Sequence, residues 1–440
     1  MVDIKFIREH QEEMRAAIKN KRIALDLDAV LEADKVRVDL QQKVEKLSAL
    51  KNELNEKMKT AKTQEERNPI IEEGKKVKDE LAEAEPSYRE AKQTFDELMV
   101  RVPTVPSSDT PIGTSEDENV EIYRWGEQKK FDFEPKDHVQ LAEDLDLVDF
   151  EKGAKISGYR GYYLKNEGMQ LVMALMMYAV NKMVQKGYTP MIPPTLVKGF
   201  SLFGSGYFKG LEYDPEIDEI YQVASADKDS EGSTTKDKKF LVGTSEPSLL
   251  AYYSDEVLKE EQLPIRLAGY SQCYRSEIGS YGKDTKGMYR VHEFMKVEQV
   301  VIAKADEAEA NKLQQEMMDV SREMHEELGL PYRQIQICTG DMSAGKFRAF
   351  DIEAWMPGMN RWGETGSASN FVDWQSRRLN VKYIDKNGDR KYVYMLNNTA
   401  LPSPRSFIAI LENYQQADGS VLIPEVLQKY TGFAKIERRK

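Results

Sequence analysis

A heptad repeat in the first quarter of the chain constrains its fold more than any other feature. Apolar residues alternate steps of four and three along Val77, Leu81, Ala84, Tyr88, Ala91, Phe95, Leu98 and Val102. This spacing places them on one seam of a long helix. The same rhythm occurs upstream, at Leu40, Val44, Leu47, Leu54 and Met58. A polar segment rich in turn formers, 60–69, separates the two patterns, which therefore predict an antiparallel helical hairpin with that segment as its tip.

The pattern changes after the hairpin. Three prolines fall within Val100–Gly113, which indicates a linker. From about Asp117 onward, short alternating strands are mixed with helices expected at 169–186 and 307–328, which is typical of an α/β or α+β domain. We therefore predict a helical arm at 1–103, a linker at 104–116 and a second domain at 117–440. The polar segment 224–239 is interpreted as a surface loop.

Composition limits the function classes. The net charge of −12 argues against unspecific nucleic-acid binding, although a local basic path is compatible with it. Cys273 and Cys338 are far apart and no CxxC occurs, so we expect neither a disulfide framework nor a zinc site. The start of the chain has no signal-like apolar region, and the most apolar stretch, 169–184, is too short to span a bilayer. These features predict a cytoplasmic protein without a membrane partner.

A charged hairpin is predicted in the second half. The runs "QCYRSE" and "YRVHEFMKVEQVVIA" read as two strands, joined by the loop-forming "IGSYGKDTKG". Arg275 and Glu277 are expected inside the first strand on one face, and Glu293 and Glu298 lie in the second. A sheet that keeps these charges is either exposed or built to hold a polar ligand.

Three segments resemble, in order, the signature motifs of class II aminoacyl-tRNA synthetases. The first is a strand that ends at Pro194. The second is the charged hairpin with Arg275, Glu277 and Phe294, and the third leads to Arg405 at the start of a helix. The segments "GTSE", "WGETGSASNFVDWQSRR" and "NNTALPSPRSFIAILENYQ" narrow the resemblance to the seryl-tRNA synthetase family. It implies an α+β fold, in which a coiled-coil arm precedes a catalytic domain built on an antiparallel sheet flanked by helices.

The resemblance also implies an ATP site. Arg275 would bind the α-phosphate, Glu277 the adenine amino group and Arg405 the γ-phosphate, and these three are the expected catalytic residues. Phe294 would stack on adenine and Val291 would line its pocket. The implied ATP-binding set is Arg275, Ser276, Glu277, Val291, Phe294, Glu364, Thr365, Gly366, Ser367 and Arg405. Glu364 and Ser367 would hold Mg²⁺, and no zinc is expected. Gly366 and Ala368 stand where the family commonly has Ser and Cys, so we expect a retuned pocket floor.

The implied serine-binding residues are Thr244, Ser245, Glu246, Arg275, Glu298 and Thr399. A pocket that hydrogen-bonds a hydroxyl can reject alanine by a factor of about 10⁴. The loop 278–288 would meet the tRNA acceptor end, with Lys283 and Lys286 suited to phosphate contact.

The function implied by the resemblance is that of a homodimeric serine–tRNA ligase. It would form seryl-adenylate from L-serine and ATP, then load tRNA(Ser) and also tRNA(Sec). Two alternatives are a class II relative that uses another small amino acid or a carrier protein, and a non-catalytic coiled-coil interaction protein. The second alternative predicts loss of Arg275, Glu277, Glu364 or Arg405, and all four are present.

Overall fold

The computed structural model describes residues 1–225, 228, 231–235, 237–278 and 286–439. The α-helices within these residues are α1 (Ile4–Glu9), α2 (Gln11–Asn20), α3 (Leu27–Thr60), α4 (Gln64–Met99), α5 (His138–Asp144), α6 (Phe150–Ser157), α7 (Asn166–Gln185), α8 (Gly199–Ser205), α9 (Glu246–Ala251), α10 (Glu307–Glu327), α11 (Trp374–Leu379), α12 (Ser403–Tyr414) and α13 (Glu425–Thr431).

The strands within the same residues are β1 (Val120–Trp125), β2 (Val148–Asp149), β3 (Tyr163–Leu164), β4 (Thr189–Met191), β5 (Leu196–Lys198), β6 (Tyr221–Val223), β7 (Lys239–Leu241), β8 (Val257–Lys259), β9 (Ile265–Tyr274), β10 (Glu293–Ala303), β11 (Tyr332–Gln336), β12 (Arg348–Met356), β13 (Arg361–Asn370), β14 (Lys382–Ile384), β15 (Arg390–Tyr392), β16 (Tyr394–Pro402), β17 (Val421–Leu422) and β18 (Lys435–Ile436).

The chain divides into two compact units, and the smaller comprises Val2–Lys19 and Ile23–Val102. Its long helices α3 and α4 pack together through heptad positions, with Leu54 and Leu81 in their shared core. The helical hairpin predicted from the heptads is therefore present. Its tip is shorter than predicted, because α4 begins at Gln64. The hydroxyl of Thr63 and the carboxylate of Glu66 cap each other's backbone there, and this capping box starts the helix inside the polar segment.

The larger unit comprises Met1, Asn20–Arg22 and Pro103–Lys440. Its main sheet has the strand order β1-β11-β12-β13-β16-β10-β9-β4. Neighbouring strands are antiparallel except for the parallel pair of β4 and β9. Helices α7, α10 and α12 pack on this sheet. Their apolar residues, among them Leu171, Leu175, Met317 and Phe407, form the main core, so the predicted α+β architecture with flanking helices is confirmed.

The predicted charged hairpin is confirmed as the antiparallel pair β9–β10, with Tyr274 opposite Glu293. The placement of Arg275 and Glu277 inside its first strand was wrong, because β9 ends at Tyr274. Glu277, three residues beyond this end, adopts a left-handed conformation with φ of 55°, which is incompatible with a strand. Both residues therefore lie just beyond the strand end.

Two predicted features fall partly outside the described residues. Of the polar segment 224–239, only 224, 225, 228, 231–235 and 237–239 are described, with a bridge between Lys228 and Thr234. Of the loop 278–288, the part with Lys283 lies outside them, whereas Lys286 is described and exposed. Within the described part of the chain, no helix is both long and apolar enough to cross a membrane.

Candidate active site

A cleft opens beside the end of β9 and the start of β10, next to β13, β16 and the start of α12. Arginines, carboxylates and two aromatic rings converge on it from segments that are distant in sequence. Its lining consists of Arg275, Glu277, Tyr289, Arg290, Val291, Phe294, Lys296, Glu364, Thr365, Gly366, Thr399, Pro402, Pro404 and Arg405.

Arg275 is held rigidly at the cleft. Its backbone N–H donates to the carbonyl of His292 (2.9 Å), and Nδ1 of His292 donates to the Arg275 carbonyl (2.9 Å). The Nε of Arg275 donates to the carbonyl of Gly243, and its guanidinium lies 5.4 Å from the centroid of the Phe294 ring. This arrangement places a planar cation and an aromatic face side by side.

Glu277 is placed by its left-handed backbone and by neighbouring cations. Arg290 donates to its Oε2 at 2.9 Å, and a guanidinium nitrogen of the buried Arg160 lies 3.7 Å from the same oxygen. The carboxylate therefore enters the cleft with one oxygen already bound.

Arg405 occupies the first turn of α12, directly after β16 ends at Pro402. Its Nη1 donates to the carbonyl of Glu364 (3.0 Å) and lies 3.1 Å from Oε2 of the same residue. Burial among protein atoms opposes ionisation of Glu364, but Arg405 and Arg275 outweigh it and lower the pKa of this carboxyl. Since 45% of the Glu364 side chain is exposed to the cleft, it stays an accessible anion.

Asp351 lies next to Glu364 and Ser367. It pairs with Ser367 across the β12–β13 ladder, and its Oδ1 is buried with no hydrogen bond to any described residue. Burial, followed by the neighbouring Glu364, raises the pKa of Asp351 to about 8. An unsatisfied carboxylate oxygen here is suited to a cation or to a water molecule that a cation holds.

Lys296, Glu298 and Thr399 form a buried polar group at one side of the cleft. Lys296 and Glu298 point to the same face of β10, with Nζ 2.6 Å from Oε2. The Thr399 hydroxyl, on β16, donates to Glu298 Oε2 at 3.3 Å. The charge of Glu298 is therefore balanced by a cation of the protein itself.

Glu246 has a different environment. It begins α9 and is buried, and its Oε1 accepts hydrogen bonds from the amides of Gln375 and Asn397, each at 2.7 Å. Burial and the nearby Glu298 raise the pKa of Glu246 to about 7. The hydroxyl of Thr244, two residues earlier, is buried and has no hydrogen-bond partner within the described part of the chain. Ser245, in contrast, donates its hydroxyl to Gly269 O, so that side chain serves the fold.

The structure brings most of the predicted ATP site into one cleft. The predicted residues that line it are Arg275, Glu277, Val291, Phe294, Glu364, Thr365, Gly366, Thr399 and Arg405. The hydroxyl of Ser276 is buried and has no hydrogen-bond partner among the residues that the structure describes. Of the two departures from the family pattern, Gly366 lines the cleft, whereas Ala368 packs with Met318 and Phe350.

Sequence reasoning missed several residues of the site. The position of Lys296, two residues before Glu298 on one strand, is a signal that could have identified it. Tyr289 follows a loop and carries no such signal. Gln375 and Asn397 reach Glu246 only through contacts between elements more than 120 residues apart in the chain.

The arrangement first indicates a class of enzyme. The charged hairpin and the helix with Arg405 resemble motifs of class II aminoacyl-tRNA synthetases, and in the structure both lie at one cleft of an antiparallel sheet, among arginines and carboxylates. Residues 221–414 match the family model of the tRNA synthetase class II core domain (G, H, P, S and T). Residues 1–106 match the seryl-tRNA synthetase N-terminal domain.

Full-length relatives specify the family. The chain is 41% identical to a serine–tRNA ligase of Treponema denticola, over 99% of this chain and 100% of that protein. It is 40% identical to a serine–tRNA ligase of Deinococcus radiodurans, over 98% of each. A crystal structure of seryl-tRNA synthetase from Pyrococcus horikoshii complexed with ATP superposes with a TM-score of 0.88 at 34% identity, covering 100% of both chains. The chain therefore belongs to the seryl-tRNA synthetase family of class II enzymes.

Proposed function

We propose that this enzyme activates L-serine with ATP and transfers the serine to the 3′-terminal adenosine of tRNA(Ser). The observation that carries the proposal is that one cleft joins two kinds of site. Arg275 and Arg405 provide cations for a triphosphate, and Lys296 and Thr399, which line the same cleft, contact the buried Glu298. Membership of the seryl-tRNA synthetase family supports this assignment of the two ligands.

The serine pocket assigns different roles to its two glutamates. Glu298 is neutralised by Lys296 and bonded to Thr399, which suits the neutral serine hydroxyl. Among the described residues, Glu246 accepts hydrogen bonds from neutral amides on Oε1, so its other oxygen is suited to the α-ammonium. The unpartnered hydroxyl of Thr244 would accept a second hydrogen bond from the same ammonium. A ligand without a hydroxyl would leave Thr399 and Glu298 partly unsatisfied, which disfavours alanine.

The nucleotide would lie along the arginines. Phe294 would stack on adenine, with Val291 at its edge and Glu277 accepting from the adenine amino group. Arg275 would bind the α-phosphate and Arg405 the γ-phosphate, because guanidinium forks match phosphate oxygens. The Ser276 hydroxyl is a further unsatisfied polar group beside Arg275.

The donor set fits a magnesium ion. Glu364 and Ser367 would hold it, and the orphaned Oδ1 of Asp351 supports a cation at this place. Magnesium binds through one or two carboxylates together with phosphate oxygens, and it would neutralise charge on the triphosphate. Phosphate oxygens of ATP would supply further ligands.

The reaction then follows from positioning and charge. A carboxylate oxygen of serine attacks the α-phosphorus, the bond to the β-phosphate oxygen breaks, and pyrophosphate leaves. Arg275 stabilises the charge that develops at the α-phosphate. In the second step a ribose hydroxyl of the tRNA attacks the carbonyl carbon of seryl-adenylate, and AMP leaves.

The remaining assignments concern domains and partners. We propose that residues 1–103 are a tRNA-binding arm, 104–116 a linker and 117–440 the catalytic domain. The compact units divide near Val102, which supports the first boundary. We further propose that the enzyme is a cytoplasmic homodimer and that tRNA(Sec) is a second substrate, on the basis of the family resemblance.

The test is exchange of labelled pyrophosphate into ATP, with Mg²⁺ and one amino acid at a time. We expect exchange with serine and none above background with alanine, glycine, threonine or cysteine. Exchange that depends on another amino acid would reassign the substrate. Folded protein that exchanges with none of them would refute the adenylation step, and charging of tRNA(Ser) and tRNA(Sec) would then be assayed separately.

A further inference from the structure

The segment 287–291, which leads into β10, is fixed by one buried histidine. The backbone N–H of Met288 donates to Nε2 of His138 at 3.2 Å. Both residues are buried, with 1% of Met288 and 3% of His138 exposed. The next three residues, Tyr289, Arg290 and Val291, line the cleft, so this contact lies immediately before the nucleotide-facing side chains.

Glu412 determines which imidazole nitrogen of His138 can accept a hydrogen bond. Its Oε1 accepts from the backbone N–H of His138 (3.0 Å) and lies 3.1 Å from Nδ1 of the ring. Its Oε2 accepts from the N–H groups of Gly358 and Met359. A carboxylate beside Nδ1 requires a proton on that nitrogen, which leaves the lone pair of Nε2 for Met288.

Helix α12 holds the same segment at a second point. Arg405, on α12, donates from Nε to the carbonyl of Tyr289 (3.3 Å), and its guanidinium lies 4.5 Å from the Tyr289 ring centroid. Glu412 follows Arg405 by seven residues, about two helical turns, so both project from similar sides of the helix. The segment is thereby fixed to α12 directly through Arg405 and indirectly through His138.

Gly287 makes the close approach possible. Its φ of 74° lies in the left-handed region, and a Cβ at this position would lie 2.1 Å from Nε2 of His138. Any side chain here would displace either the imidazole or the segment. The contact between His138 and Met288 therefore requires a residue without a side chain at position 287.

We propose that His138 is a positioning residue for ATP. Its imidazole holds the amide of Met288 so that Tyr289 and Val291 meet the nucleotide and the Tyr289 carbonyl orients Arg405. His138 itself contacts no substrate. This inference rests on the proposed function, since it assigns a role in nucleotide binding within that cleft.

Two substitutions separate the contacts of His138. In H138N the amide nitrogen can still donate to Glu412, but the side chain is too short to reach Met288. In H138Q an amide oxygen can reach the position of Nε2 and accept from Met288. We expect H138N to raise the KM for ATP in pyrophosphate exchange about five- to tenfold, as for loss of one buried hydrogen bond. H138Q should stay within about twofold of wild type, and the KM for serine should change little in both.

The control is Y414F, which removes a partly buried hydrogen bond from α12 to the carbonyl of Leu328 and leaves residues 287–291 unchanged. We expect it to lower the thermal midpoint with an unchanged KM for ATP. If H138N does not fold, G287A provides the test, since its methyl group displaces the segment and should raise the same KM. An unchanged KM for ATP in the folded variants, or equal increases in H138N and H138Q, would overturn the proposal. Wild-type protein that fails to exchange would refute the proposed function instead.

Discussion

At the scale of single residues, the proposed serine pocket should depend on the protonation state of Glu246. Its hydrogen-bond donors among the described residues are the neutral amides of Gln375 and Asn397. Burial is the main reason for its raised pKa, and the negative charge of Glu298 adds to it. In the empty site this carboxyl is therefore protonated more readily than an ordinary glutamate, whereas a bound ammonium favours the ionised form.

Serine binding should therefore depend on pH. With a pKa of about 7 for Glu246, about a tenth of the empty enzyme is ionised at pH 6 and about nine-tenths at pH 8. We expect kcat/KM for serine in pyrophosphate exchange to rise roughly tenfold over this interval and then level off. In the isosteric variant E246Q the rise should disappear, with a lower kcat/KM throughout. The KM for ATP at saturating serine is the internal control, and a wild-type serine profile that is flat from pH 6 to 8 would contradict the assignment.

The site could be predicted where a segment resembles a family motif. The resemblance of the charged hairpin placed Arg275, Glu277 and Phe294 in one site, that of two later segments added Glu364 and Arg405, and all five line the cleft. Gln375 was not predicted because its contact with Glu246 joins α11 to α9, and no local pattern encodes that contact. The left-handed conformation of Glu277 was also missed, since a non-glycine residue gives no sequence signal for it.

At the scale of elements, helix α10 supports the cleft through a buried histidine. Nδ1 of His325 donates to the carbonyl of Ser321, and Nε2 lies 2.7 Å from the hydroxyl of Thr365, which lines the cleft. Burial lowers the pKa of His325 to about 4, although the Ser321 carbonyl and Glu326 act in the opposite direction. The helix therefore contributes a neutral imidazole to the packing against β13.

Acid should weaken the larger unit through this residue. Since the folded-state pKa of about 4 lies below the usual 6.5, the stability that His325 contributes is present above pH 6.5 and is lost as pH falls towards 4. Between pH 7 and pH 4.5 this loss amounts to about 2 kcal/mol. We expect H325Q, whose amide can still meet Thr365, to lose correspondingly less apparent free energy of unfolding over that interval.

Urea unfolding followed by tryptophan fluorescence is the measurement, because Trp125, Trp355, Trp362 and Trp374 all lie in the larger unit. Titratable groups that both proteins share contribute equally to both losses of unfolding free energy, so their contributions cancel in the comparison. Identical losses in wild type and H325Q between pH 7 and pH 4.5 would show that His325 does not titrate as described.

Elements were predictable where the pattern is local and long. Helix α10 was expected at 307–328 and ends at Glu327, and the heptads predicted the packing of α3 on α4. Sheet order was not predictable, because β1 pairs with β11 across about 200 residues of intervening chain. Such pairings are decided by burial of the whole sheet and not by the strands' own sequences.

At the scale of the whole molecule, the cleft and the exposed lysines of α4 belong to different compact units. The described cleft lies in the larger unit, and the chain as a whole carries a net charge of −12. Contact with a polyanion such as tRNA therefore requires a local basic surface. On α4, Lys75, Lys76 and Lys78 are all exposed, and none of them forms a salt bridge among the described residues. Lys57 and Lys59, on α3, are already paired with Glu53 and Glu56.

Reversing the charge of these three lysines should therefore affect tRNA charging without affecting serine activation. In K75E/K76E/K78E we expect serine-dependent pyrophosphate exchange to stay within about twofold of wild type, because the cleft is unchanged. The KM for tRNA(Ser) in charging should rise by about tenfold or more. The slope of log K for tRNA binding against log salt concentration should decrease in magnitude by about two to three. The matched control reverses three exposed lysines of the larger unit, Lys312, Lys386 and Lys429, with the same change in net charge. Equal losses of charging in both triple variants would mean that overall charge, and not this face of α4, limits tRNA binding, whereas a loss confined to the α4 variant would identify the arm as the tRNA-binding element.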